Sequence, residues 1–72
     1  MKQDYTVVVT YHREIHGHKE HRHAVSACKN VQEAIDRVKR IGIILDYPLP
    51  KSIVARKPTA QDREDLSFGD VT

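Results

Sequence analysis

Five of the 72 residues are histidines, and all lie between positions 12 and 23: His12, His16, His18, His21 and His23. They include two His-x-His pairs, and on a β-strand that spacing points both rings to one face. Neutral imidazoles bind zinc, nickel or copper, and Glu14 or Glu20 can complete a coordination sphere. His16, His18, His21 and His23 are therefore the metal-ligand candidates. The alternative is a polar hairpin end whose rings simply face water. Imidazole titrates near pH 6.5, so protonating all five would take the formal charge from +2 to +7.

Arg13, Lys19 and Arg22 interleave with these histidines. A two-stranded ribbon with a basic tip can enter a nucleic-acid groove or track phosphates. Arg37, Lys39, Arg40 and the pair Arg56-Lys57 add positive charge further along. No aromatic stacking platform is evident beyond Tyr5, Tyr11 and Tyr47, and no DNA- or RNA-binding signature is present. Tyr47 and Leu49, set among prolines, form a stiff apolar loop suited to a protein interface, or to plugging one end of the core. Catalytic chemistry finds little support. Cys28 stands five and seven residues along a strand from His23 and His21, too far for a nucleophile and its base. Gly17, Gly42 and Gly69 make no phosphate-binding loop. The chain therefore reads as a non-enzyme with no catalytic residue and no cofactor.

Length and composition limit what can hold these side chains. A chain this short buries only about 60% of its unfolded surface. It is 39% apolar and 6% aromatic, so the core is thin and a walled cleft is hard to build. One cysteine excludes an internal disulfide and a multi-cysteine zinc site, and suits a reducing compartment. There is no apolar run near the ~20 residues of a membrane span, and residues 1–4 lack signal-peptide order. A cytoplasmic protein with no membrane partner is expected. Residues 1–60 carry a balance of +5 and residues 61–72 a balance of −3. A basic body with an acidic tail points to an anionic partner, or to a tail that shields the body.

The element that organises the rest is residues 30–42. Val31, Ala34, Ile35, Val38 and Ile41 share one face of a 3.6-residue period. Asn30 suits the N-cap, Glu33 the capping box, Lys39 and Arg40 the last turn, and Gly42 a left-handed stop. Ile43, Ile44 or Leu45 should then fold back onto the last turn. Residues 5–11 and 22–28 read as strands joined by a hairpin at Gly17. Tyr5, Val7, Val9 and Tyr11 face the helix, joined by Val25 and Ala27, with Ala24, Ser26 and Cys28 opposite. A three-residue loop, Gly17-His18-Lys19, would set Tyr11 opposite Val25 and Val9 opposite Ala27. A two-residue loop, Gly17-His18, would set Tyr11 opposite Ala24.

Residues 52–56 read as a third strand, and a right-handed crossover lays it beside the first. The prediction is a single small α+β domain, β-β-α-β, with a three-stranded antiparallel or mixed sheet in order 2-1-3 and one helix on one face. The other face stays partly open, and the edge strands leave room for strand addition or a dimer. The domain spans residues 1–58. Residues 59–72 form an acidic, partly disordered tail with a short helical turn capped by Thr59 and disorder over its last six residues.

In size and layout, the hairpin followed by a helix and a third strand resembles small phage-encoded inhibitors, anti-CRISPR proteins among them. Many of those are single α+β domains that block a host machine by occupying a partner- or nucleic-acid-binding surface. The resemblance is architectural, runs from Tyr5 to Arg56, and transfers no functional residue. It implies a host-takeover or anti-defence protein. The leading expectation is thus a non-enzymatic module that occupies a surface of a larger protein or nucleoprotein assembly. Its contacts would be Arg13, His16, His18, Lys19, His21, Arg22, His23, Tyr47, Leu49, Arg56 and Lys57. A direct nucleic-acid binder and a histidine-cluster metal protein are the alternatives.

Overall fold

The structure, a computed structural model, describes residues 2–68. Strands β1 (Gln3–Ile15) and β2 (His18–Cys28) form a hairpin, followed by helix α1 (Val31–Ile44), strand β3 (Ser52–Arg56) and a short helix α2 (Ala60–Asp65). The sheet order is β2-β1-β3, and both outer strands run antiparallel to β1. This is the α+β arrangement and strand order that the sequence predicts. The tail expectation for residues 69–72 lies outside the described residues.

The alternation along β1 builds the core. Tyr5, Val7, Val9 and Tyr11 are buried on the face that α1 covers through Ala34 and Val38. Across the sheet, β3 supplies Ile53 opposite Val9 and Ala55 opposite Val7, and both pack against that core.

The hairpin departs from both expected registers. Its loop is His16-Gly17, with Ile15 paired to His18. His16 has φ 54° and Gly17 φ 85°. Positive φ at both central residues is the two-residue turn whose twist matches that of the strands. Four residues of β1, from Tyr11 to Glu14, then stand against Lys19 alone, so Val9 faces His21 and Tyr5 faces Val25. This bulge absorbs the offset that a regular ladder would have carried. The face assignment of β1 stands although the pairing does not, because it follows from alternation along β1 itself.

A second irregularity corrects the far end of β2. Ala27 has φ 58°, and the register shifts between Tyr5 and Gln3. The kink turns Ala27 to solvent and sends Cys28 into the core, fully buried. The Asp4 carboxylate accepts from the Ala27 N–H at 3.3 Å. Arg37 of α1 donates to the carbonyls of Ser26 at 2.7 Å and Ala27 at 3.3 Å. The helix is therefore fastened to the strand at the kink.

The start of α1 follows the sequence at Asn30, whose side chain accepts from the Glu33 N–H at 2.9 Å. The Glu33 carboxylate, however, takes the Lys29 N–H at 3.4 Å and not that of Asn30, so the capping box is not closed. The end of α1 does not follow the sequence. Gly42 lies inside the helix, which continues to Ile44, so Lys39 and Arg40 are not in the last turn. Asp46 takes the left-handed conformation, φ 57°. The Tyr47 N–H bonds the Gly42 carbonyl at 2.9 Å, and the Asp46 N–H bonds that of Ile43 at 3.1 Å. That pair of bonds is the Schellman stop, with aspartate in the place glycine usually fills. A glycine inside a helix costs only about 1 kcal/mol, and Ile43 and Ile44 prolong the helix beyond it to the stop at Asp46. Ile43, Ile44 and Leu45 therefore do not fold back; they stay exposed.

The second sheet face is not simply open. Thr59 caps α2 in a full capping box, and Asp62 of α2 rests on Thr6 of β1.

Candidate functional site

Three groups of side chains stand out, and the expected contact residues divide among them. The first is the hairpin end. Arg13, His16, His18 and Lys19 are exposed there, while His21 and His23 are half-buried. The Nε2 atom of His21 lies 3.0 Å from the carbonyl oxygens of both Ile15 and His18. Carbonyl oxygens only accept, so this nitrogen carries a proton and is not free to ligate a metal. The His21 ring also meets Tyr11 edge-on at 5.3 Å. Burial, and then the neighbouring His21, lower the pKa of His23. Among the described residues, no three His, Cys, Asp or Glu side chains are grouped so that they could hold a metal ion. His16 leans instead towards Tyr47, at 5.9 Å between ring centres.

The second group is a charge network on the sheet face away from α1. Asp62 is 1% exposed. Its carboxylate accepts from the Thr6 hydroxyl at 3.0 Å, from Arg22 at 2.9 Å, from the Thr59 N–H at 3.0 Å, and from both terminal nitrogens of Arg56. Arg22 also reaches Asp65 at 2.9 Å. Sequence alternation places Thr6, Arg22 and Arg56 on one face, and α2 brings the anion to them. The Arg56 guanidinium, then the Thr59 N–H, with Arg22 and Thr6 adding to them against burial, hold the Asp62 carboxyl far below its ordinary pKa. Bonds to Asp65 and then Asp62 raise that of Arg22. Two of the expected partner-binding cations, Arg22 and Arg56, are thus already engaged within the chain. Lys57, the next residue, is exposed.

The third group is apolar. Val9, Tyr11, Val38 and Ile53 floor a groove of about 290 Å³. Its walls are Gly42 and Ile43 at the end of α1 and the loop Tyr47-Pro48-Leu49-Pro50. Tyr47 is half-buried and stacks edge-on against Tyr11 at 6.0 Å, so it belongs to the core and the groove together. Leu49 is 89% exposed, Ile44 80%, Ile43 78% and Leu45 52%. Ile43 and Leu49 belong to the groove wall, and Ile43-Ile44-Leu45 is a run of three exposed apolar residues, an apolar ridge at the end of α1.

The sequence reading named Tyr47 and Leu49 but missed the isoleucines, having folded them back onto the helix. A signal was available: Ile43 and Ile44 fall outside the stripe that runs through Ala34, Val38 and Ile41. Asp62 was missed as a network centre because nothing local marks a carboxylate whose partners lie on three strands. Cys28 is buried, and burial raises its thiol pKa, the reverse of an activated nucleophile.

Among the described residues, no helix is long and apolar enough to cross a membrane. No protein-family model, curated protein or solved structure matches the chain.

Proposed function

We propose that this protein is a non-catalytic binding module that acts by occupying a surface of a larger protein or nucleoprotein assembly. One observation carries the reading: an apolar groove has the largely exposed Ile43 and Leu49 in its wall, and the exposed Ile44 and Leu45 follow Ile43 at the end of the helix. Contiguous exposed apolar patches of this kind mark interaction sites in folded proteins. The prolines stiffen the loop, so docking orders little chain. The layout's likeness to phage-encoded inhibitors suggests blockade of a host machine as the form the action takes. A reducing, cytoplasmic setting suits the lone buried thiol of Cys28.

The contact surface in this reading shifts from the whole basic hairpin to the ridge, with Arg13 and Lys19 as flanking charges. Direct nucleic-acid binding is the weaker reading, because Asp62 and Asp65 already hold two of its cations. Affinity capture from the source cell, read by mass spectrometry, tests the choice. The double variant Ile44→Glu/Leu49→Glu should lose the partner while its circular dichroism stays that of the parent, since both side chains are solvent-exposed. Capture that survives this change but disappears in Arg13→Glu/Lys19→Glu would move the site to the hairpin. A gel shift whose affinity drops steeply with salt would establish the nucleic-acid reading instead.

A further inference from the structure

The groove has a polarity that names its partner. Ten of its eleven lining residues are uncharged, and the eleventh is Lys39. Exposed Lys51 follows Pro50 at the other wall, whereas Arg40 lies on a different surface of α1 beside Glu33 and Asp36. Neither Lys39 nor Lys51 forms an ion pair among the described residues. The acidic neighbours in sequence, Asp36 and Asp46, are not among the lining residues. An apolar slot bordered by cations with no carboxylate of its own is complementary to an apolar anchor flanked by negative charge.

We infer that the groove receives an acidic amphipathic segment of a partner protein, one that inserts one or two bulky aliphatic side chains and sets carboxylates against Lys39 and Lys51. This rests on the binding-module reading and adds the chemistry of the partner. The volume, about 290 Å³, suits one or two side chains. A small amphiphile seated in it would touch Ile43 and Leu49 but leave Ile44 and Leu45 in solvent, whereas a protein segment is long enough to cover these as well. Segments of this kind dock by laying anchors at i, i+3 or i+4 and i+7 into such a slot.

The probe is a fluorescein-labelled helical peptide with leucines at i, i+4 and i+7 and glutamates beside them, followed by fluorescence anisotropy. Two controls replace the glutamates by lysines or the leucines by alanines. Exposed charge pairs each add only modestly, so Lys39 and Lys51 should favour the glutamate peptide several-fold over the lysine peptide. The preference should shrink as salt rises. Lys39→Glu should weaken the glutamate peptide, and Leu49→Glu should weaken it further, with amide shifts on binding centred on Lys39, Ile43 and Leu49. Equal binding of the glutamate and lysine peptides overturns the charge assignment, yet leaves the binding-module reading standing if the alanine control still fails to bind. No binding by any peptide also overturns the inference. A dimer seen by sedimentation and dissolved by Ile44→Glu overturns it too, assigning the ridge to a second copy of the chain.

Discussion

Replacing Thr6 by Val removes one hydrogen-bond donor and keeps the volume. Thr6 is fully buried, and its hydroxyl donates to Asp62 at 3.0 Å. A hydrogen bond to a charged group contributes about 1.5–3 kcal/mol. Two features of the site lower the net figure. Asp62 keeps Arg22, Arg56 and the Thr59 N–H, so its carboxylate is not stranded. The added valine methyl also gains up to about 0.8 kcal/mol from burial. The expected loss for Thr6→Val is therefore about 1–2 kcal/mol. In a domain this small, each kcal/mol moves Tm by about 4–8 °C, so melting should fall by roughly 5–15 °C. Circular dichroism melts and urea titrations at neutral pH measure it. The difference between parent and variant should stay constant above the ordinary carboxylate range and narrow only below about pH 4, where protonation of Asp62 begins to differ between the two folded forms. A Thr6→Val protein as stable as the parent would refute the view that this buried bond locks α2 to the sheet.

Three further outcomes follow from the same structure. Gly42→Ala should stabilise by about 0.5–1 kcal/mol, read from the urea midpoint; Gly42 is helical, and a Cβ there would meet no atom within 4 Å. Had Gly42 been the left-handed stop, the same change would destabilise. Ala27→Gly should raise stability by up to about 1 kcal/mol in the same assay, because alanine at φ 58° is strained and glycine is not. Stability against pH should fall in two stages. The depressed pKa of His23 supplies stability that is present above about pH 6.5 and lost as pH drops through its folded value. The depressed Asp62 and Asp65 supply stability present above about pH 4 and lost below it. His23→Gln should flatten the upper stage and leave the lower one.

The sequence by itself determined which residues alternate along β1, where α1 begins, that β3 spans residues 52–56 and that β1 is the central strand. Those features are local: side-chain period, a capping aspartyl-like amide at Asn30, and prolines that exclude helix. Even with the hairpin register different, the faces of Tyr5, Val7, Val9 and Tyr11 are as expected, because alternation along β1 sets them whatever its partner. The tertiary structure decided the rest. Ala27 and Asp46 adopt positive φ without being glycine, since Arg37 and Asp4 secure one kink and a Schellman pair secures the other end. Only the folded sheet brings Thr6, Arg22 and Arg56 around Asp62, residues separated by up to 56 positions. And only the prolonged helix leaves Ile43 and Ile44 in water beside Leu49, because whether an apolar side chain is core or contact surface depends on what the rest of the chain has room to cover.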